Sequence, residues 1–108
     1  MKVLPGAVSH HDLEVAELRA DRELAVEYLK AAMAALDDPQ DRGACLVALR
    51  TVAESYGGLA MVAAEAGISR EALYRALSSK GNPTLKTLIA VFKTVGMRLS
   101  VEPEQVAA

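Results

Sequence analysis

The strongest constraint in this sequence is a glycine, Gly67, that follows one short apolar stretch and precedes another. A helix-turn-helix needs a small residue where its helices cross, a glycine at the turn, an apolar residue after it, and apolar anchors on the second helix. These roles are filled in chain order by Ala63, Gly67, Ile68, Leu73 and Leu77. Because glycine lacks a Cβ atom, Gly67 can adopt the left-handed backbone of a sharp reversal. The sequence therefore predicts a helix-turn-helix.

The second helix of this motif is predicted from Ser69, its N-cap, to about Ser79. Leu73, Ala76 and Leu77 share one face, which leaves polar and charged residues on the other. Such a helix can lie in the major groove of double-stranded DNA, where arginine bonds guanine and serine or tyrosine bonds phosphate. We call the predicted DNA contacts the recognition surface: Ser69, Arg70, Glu71, Tyr74, Arg75 and Ser78 on the helix, with Lys80 and Lys86 beside it.

The charged members of the recognition surface are expected to play different roles. Arg70 and Arg75 are the best candidates for base contacts. Lys80 and Lys86 suit phosphate contacts, which weaken as the salt concentration rises. Glu71 either accepts a hydrogen bond from cytosine or pairs with Arg75, and the second role is favoured because Glu four residues before Arg stabilises a helix.

The distribution of charge supports this assignment, although the net charge of the chain is only −2. Residues 1–68 carry six Lys and Arg against eleven Asp and Glu, whereas residues 69–98 carry six against one. Residues 99–108 add two acids. The positive charge is therefore concentrated in the segment predicted to face DNA.

The apolar spacing predicts an all-α fold of five helices. Aromatic residues make up only 4% of the chain while Ala and Leu are abundant, and this composition favours packed helices over sheets. The predicted helices cover residues 21–36, 39–56, 59–66, 69–79 and 83–95. Three of them have predicted caps outside the motif, at Asp21, Asp38 and Asn82. Prolines follow two of these caps at the first helical position, Pro39 and Pro83.

The last predicted helix ends at Gly96 and is expected to bury one apolar stripe, formed by Leu85, Leu88, Ile89 and Phe92. After it, Met97, Leu99 and Val101 alternate with polar residues and predict a short C-terminal β-strand that Pro103 ends. A single strand needs a partner for its backbone groups. We therefore expect it to pair with its copy in a second subunit, which would make the protein a homodimer.

The ends of the chain show weaker patterns. Residues 1–20 contain Pro5, Gly6 and a weakly periodic charged stretch, which predicts a flexible N-terminal arm, mobile or ordered by a partner. Residues 21–103 are predicted to form the helical domain, and residues 104–108 to fray.

No set of residues predicts a catalytic, cofactor or metal site, so we do not expect an enzyme. Cys45 lies on an ordinary apolar helix face and predicts core packing. His10 and His11 lack accompanying ligands at suitable spacing, so a surface pair is the better interpretation. The N-terminus lacks the features of a signal peptide, and no apolar run reaches the length of a membrane helix. These features predict a cytoplasmic protein without a membrane partner.

Residues 63–103, AAEAGISREALYRALSSKGNPTLKTLIAVFKTVGMRLSVEP, resemble the HigA-like probable addiction-module antidote family of Xre/Cro-type helix-turn-helix proteins. The resemblance extends over most of the chain from about Tyr28. It implies an antitoxin of a type II toxin-antitoxin pair that binds a RelE/ParE-type toxin of the HigB kind and represses its own operon as a dimer. The family pattern matches Ser69, Arg70, Glu71, Tyr74 and Arg75, followed by Gly81, Asn82 and Pro83.

One departure from the family pattern bears on DNA binding. Relatives often carry a polar residue such as Gln near the start of the first motif helix, where this chain has Gly58-Leu59-Ala60-Met61, and Ala64 stands where a basic residue is frequent. The departure implies either weaker binding than is usual in the family or phosphate contacts from backbone N–H groups, Lys80 and Lys86. Two other functions stay open: a regulator without a toxin partner, and a protein-interaction module that has lost DNA binding.

Overall fold

Six helices make up most of residues 9–104, the part of the chain that the computed structural model describes. They are α1 (His10–Ala20), α2 (Arg22–Ala34), α3 (Arg42–Ser55), α4 (Gly58–Ala66), α5 (Arg70–Ala76) and α6 (Leu85–Thr94). No strand occurs within residues 9–104. The all-α prediction is therefore confirmed, with one helix more than the five expected.

The middle of the core is formed by α3, which α1, α2 and α4 contact, while α6 packs mainly against α4. Five apolar residues of α3 are each at most 2% exposed: Cys45, Leu46, Leu49, Val52 and Ala53. This confirms the predicted core position of Cys45, and the same burial raises the pKa of its thiol. No single helix of the described chain is long and apolar enough to cross a membrane; α3 and α4 would pass that test only as a pair, and the pair is bent by 108°.

The additional helix, α1, occupies part of residues 1–20, for which the sequence predicts a flexible arm, mobile or ordered by a partner. Ser9 caps it by accepting a hydrogen bond from the Asp12 N–H, and Leu18 is only 1% exposed in the core. Its other anchors are polar: Arg19 donates to the Ser55 carbonyl at 3.1 Å, and His11 bonds Glu54 at 2.8 Å. Because α1 is held largely by polar contacts and buries a single residue, Leu18, its apolar periodicity is weak. Residues 1–8 of the expected arm lie outside the described residues.

The predicted cap of α2 is confirmed, because the Asp21 carboxylate accepts a hydrogen bond from the Leu24 N–H at 3.1 Å. The predicted start of the next helix is wrong: α3 begins at Arg42 rather than at Pro39. Asp38 instead closes a turn, with its carboxylate accepting from the Gln40 N–H at 2.9 Å. Asp and Pro suit such turns as well as helix starts, so local sequence alone does not separate the two.

The start of α6 is also corrected. Asn82 and Pro83 precede the helix without capping it, and the N-cap is Thr84, whose hydroxyl accepts from the Thr87 N–H at 3.2 Å. The predicted buried stripe is wrong at two of its four positions, because Leu85 is 65% exposed and Ile89 is 50% exposed. Leu88 is half-buried against the core and Phe92 is buried, as expected. The helix is apolar on both faces, and it buries the one that carries Thr87, Ala90, Val91 and Phe92.

The segment after α6 has no regular secondary structure within the described residues. Gly96 ends the helix with φ +75°, and the Arg22 guanidinium donates to the Val95 and Gly96 carbonyls at 2.9 and 3.2 Å. Within residues 97–104 the predicted strand is not present, and the only backbone hydrogen bond there runs from the Met97 N–H to the Phe92 carbonyl at 2.7 Å. Val101 is 96% exposed. Of the tail expected to fray, residues 105–108 lie outside the described range.

Candidate nucleic-acid interface

The turn between α4 and α5 has the geometry that the sequence predicts. Gly67 adopts the left-handed conformation, with φ 71° and ψ 31°, and the Ile68 N–H bonds the Ala63 carbonyl at 3.1 Å. Ser69 then caps α5 by accepting a hydrogen bond from the Ala72 N–H at 3.0 Å. Together these bonds satisfy the end of one helix and the start of the next, so the reversal is fixed locally.

The next helix, α5, is anchored by its apolar face. Leu73 and Leu77 are completely buried, as predicted. On the opposite side, a surface depression of about 350 Å³ is lined by Arg70, Glu71, Tyr74 and Arg75. The structure thus brings four predicted members of the recognition surface together and leaves them exposed.

The helix is shorter than predicted, because it ends at Ala76 rather than near Ser79. Ser78 lies in the following turn, and its hydroxyl donates to the Arg75 carbonyl at 2.8 Å. Gly81 makes that turn possible, because a Cβ atom there would lie 2.1 Å from the Ala76 carbonyl oxygen, closer than two non-bonded atoms can approach. Ser78 therefore lies beyond the end of α5, and its hydroxyl proton is already donated to a backbone carbonyl.

Two lysines flank the recognition surface from different directions. Lys80 is exposed in the turn after α5. Lys86 lies on α6, and its Nζ is 3.5 Å from the position that a Cβ atom on Gly67 would occupy. The fold therefore brings the Lys86 ammonium beside the turn that leads into α5.

The favoured role of Glu71 is not found. No ion pair joins Glu71 to Arg75, although both side chains lie within the described residues and are exposed. An exposed pair at this spacing gains little free energy, so both groups stay solvated. The Arg75 guanidinium is consequently not held by a carboxylate on its own helix.

One residue beside the recognition surface was not among the predicted site residues. Arg50, on α3, places its guanidinium carbon 5.0 Å from the centre of the Tyr74 ring. Its Nε is buried and has no hydrogen-bond partner. About two turns earlier on the same side of α3, Gly43 approaches the Ser79 carbonyl so closely that a Cβ atom would lie 2.5 Å from the oxygen. The only sequence signal for Arg50 is a lone cation within an apolar helix.

An exposed ion pair joins α4 to α6 near this surface. Lys93 of α6 lies 2.8 Å from the Glu65 carboxylate of α4. The hydrogen bond to Glu65, with its negative charge, raises the pKa of Lys93. Lys93 is therefore occupied, in contrast to Lys80 and Lys86. Within the described part of the chain, no group of three or more His, Cys, Asp or Glu side chains is placed to hold a metal ion.

Comparison with known proteins identifies the family to which this chain belongs. A family described as "Probable addiction module antidote protein" matches residues 9–103. A protein from Haemophilus influenzae, described as "Uncharacterized protein", is 43% identical over 49 residues, which are 45% of this chain and 50% of that protein. The chain thus spans about half the length of that curated relative. No solved structure matches the chain. Because the family match covers nearly all of the described residues, the chain belongs to the probable addiction module antidote protein family.

Proposed function

We propose that this antidote protein is a type II antitoxin that neutralises a RelE/ParE-type toxin of the HigB kind and represses its own operon by binding DNA. In this proposal α4 and α5 form an Xre/Cro-type helix-turn-helix. The protein acts in the cytoplasm as a homodimer and has no catalytic activity. The observation that carries the DNA-binding part is the exposed pair Arg70 and Arg75 on a helix whose other face is anchored in the core.

The chemistry of α5 suits the major groove. A helix fits into that groove, and an arginine there can donate two hydrogen bonds to one guanine. Arg70 lies in the first turn of α5, where recognition helices commonly contact bases. The acidic residues of the chain are concentrated in residues 1–68, so the negative charge does not lie along the segment that carries α5. The mobility of a labelled duplex from upstream of the gene tests binding directly: absence of a shift at low salt contradicts the DNA-binding proposal.

Lys86→Ala is expected to weaken binding to the upstream duplex and to a random duplex by the same factor. The Lys86 ammonium contacts phosphate in this proposal, so its loss also lowers the slope of log affinity against log salt by about one. Lys30→Ala is the matched control, because Lys30 is an exposed cation on α2, outside the recognition surface. Fluorescence anisotropy at several salt concentrations measures both quantities. A loss confined to the upstream duplex would instead assign Lys86 to a base contact.

The toxin-binding face is proposed to lie on α1 and α2. Leu13 and Leu24 are 53% and 40% exposed there, and Glu23 and Glu27 border a surface depression. Arg19 and Arg22, in contrast, donate to backbone carbonyls of the protein itself. A face that combines exposed leucines with exposed carboxylates fits a partner with apolar and basic residues.

Co-expression with the adjacent reading frame tests the antitoxin function. The neighbour alone should stop growth, and expression of this chain should restore it. A neighbour that is harmless, or one whose toxicity this chain does not relieve, contradicts the proposed toxin pair. A regulator without a toxin partner would then be favoured.

The homodimer is proposed to form through residues 97–101, the segment after α6. Its backbone groups beyond Met97 are unpaired within the described chain, and Leu99 and Val101 are exposed. Two copies can satisfy these groups by pairing as strands around a twofold axis.

Val101→Pro is expected to shift the protein from dimer to monomer, because proline removes a backbone donor and disfavours a strand pair. Glu104→Pro is the control beyond the alternating segment. Sedimentation velocity over a range of concentrations measures the mass. An unchanged dimer in Val101→Pro would exclude pairing through this segment and leave the oligomeric state to another surface.

One observation favours a protein-interaction module as the second candidate. The start of α4 is apolar, and Met61 in this segment is 59% exposed. The resemblance implies that relatives often carry a polar residue near the start of this helix, where it can contact a phosphate. Exposed apolar side chains favour protein partners over phosphates. Binding of the toxin without any shift of the upstream duplex would support this candidate.

A further inference from the structure

Arg50 is an unusual residue of α3, because its side chain reaches out of the core to a residue of the recognition surface. Its neighbours Leu49 and Thr51 are buried, whereas Arg50 itself is half-buried. The guanidinium carbon lies 5.0 Å from the centre of the Tyr74 ring. A cation at this distance is attracted by the negative face of an aromatic ring.

The hydrogen bonding of Arg50 does not explain its presence. Its Nε is buried and donates to no acceptor in the described structure. A buried donor of a charged group without a partner destabilises the fold, so an apolar residue would suit this position better if packing were its only role. The arginine is therefore better explained by what its charged end does at the surface.

The surroundings make α3 a rigid support for this contact. Gly43 lets the first turn of α3 approach the Ser79 carbonyl, and Arg50 follows seven residues later on the same side of the helix. The short helix α5 packs more extensively on α4 than on α3. The Arg50–Tyr74 contact thus connects the most buried helix directly to the exposed side of α5.

We propose that Arg50 is a positioning residue for DNA recognition: by stacking on the Tyr74 ring, it fixes where the Tyr74 hydroxyl meets the DNA backbone. This inference rests on the proposed DNA binding. Tyr74 is 46% exposed, so without the stack its ring would be free to leave the position between the arginines of α5. If the side chain is already ordered before DNA binds, less conformational entropy is lost on binding.

The test is a double-mutant cycle of Arg50→Gln and Tyr74→Phe, with affinities measured on the upstream duplex and on a random duplex. Phenylalanine keeps the ring and removes the hydroxyl, whereas glutamine removes the charge and keeps hydrogen bonding. Each single change is expected to weaken binding to the upstream duplex about tenfold, the size of one hydrogen bond to a charged group. The double variant should lose little more than either single variant, because both remove the same contact.

Two controls separate positioning from general charge and from folding. Arg98→Gln removes one exposed cation outside the recognition surface, and should weaken binding to both duplexes equally and by less. Arg50→Lys keeps a cation over the ring and should recover part of the lost affinity. Circular dichroism checks each fold. If Arg50→Gln does not fold, Arg50→Met takes its place in the cycle, because it removes the charge while keeping a long side chain, and it is compared with wild type, each with and without the Tyr74→Phe substitution.

The outcomes distinguish this inference from the proposed function. If wild type binds the upstream duplex and Arg50→Gln loses no more than Arg98→Gln, the positioning role is wrong and DNA binding stands. The positioning role is also wrong if the loss of affinity in the double variant equals the product of the two single losses, since independent contacts give that result. If wild type binds neither duplex, the proposed DNA binding is wrong and the role of Arg50 falls with it.

Discussion

Replacing Arg70 and Arg75 together with alanine is expected to lower the affinity for the upstream duplex by at least about 30-fold, while binding to a random duplex falls far less. Each arginine that donates two hydrogen bonds to a guanine contributes roughly 1–3 kcal/mol of discrimination. Both side chains are exposed on α5, and neither is paired with a carboxylate in the described structure. Their donors are therefore available to DNA without first breaking an ion pair.

Lys30→Ala with Arg98→Ala is the matched control, since it removes the same charge from positions outside the recognition surface. Anisotropy titrations of both double variants on both duplexes give the ratio of specific to random binding. That ratio should collapse only when Arg70 and Arg75 are lost. Equal losses on the two duplexes would show that these arginines contact phosphates rather than bases.

The residues that fix the turn could be predicted because their effects are local. Gly67 determines the left-handed turn and Ser69 caps the next helix within a few residues of chain, so the sequence alone indicates both. Leu73 and Leu77 repeat at the spacing of one helix face, and both are buried. The same spacing places Arg70 and Arg75 on the opposite face of α5, so their exposure could be predicted.

Contacts between distant parts of the chain could not be predicted in this way. Arg50 and Tyr74 are far apart in sequence, and no periodic pattern connects them. The same holds for α1, which is held to α3 by Arg19 and His11 as well as by Leu18. Polar contacts of this kind leave no apolar repeat in the sequence.

Which face of α6 is buried could not be predicted for a different reason. Apolar residues occupy both of its faces, so the spacing fits two stripes equally well. The structure buries the face with the smaller residues Thr87 and Ala90, which allows α6 to approach α4 closely. Leu85 and Ile89 are left at the surface. Individual exposed apolar side chains of this kind are common on protein surfaces.

Leu73→Ala is expected to lower the free energy of unfolding by about 2–5 kcal/mol, whereas Leu85→Ala changes it by less than about 0.5 kcal/mol. The two substitutions remove the same atoms, from a completely buried side chain in one case and from one that is 65% exposed in the other. Chemical denaturation followed by circular dichroism, at a fixed protein concentration, measures both values. A small domain has only about 5–15 kcal/mol of stability, so Leu73→Ala should also loosen α5.

The comparison decides which face of α6 and of α5 packs into the core. A large loss in Leu85→Ala would place Leu85 in the core, or, if the loss decreases on dilution, in the interface between two copies. A small loss in Leu73→Ala would contradict the anchoring of α5. The exposed direction of Arg70 and Arg75 depends on that anchor, because a helix that rotates about its axis carries both arginines away from the groove. DNA recognition by Arg70 and Arg75 thus depends on the packing of α5 against α4.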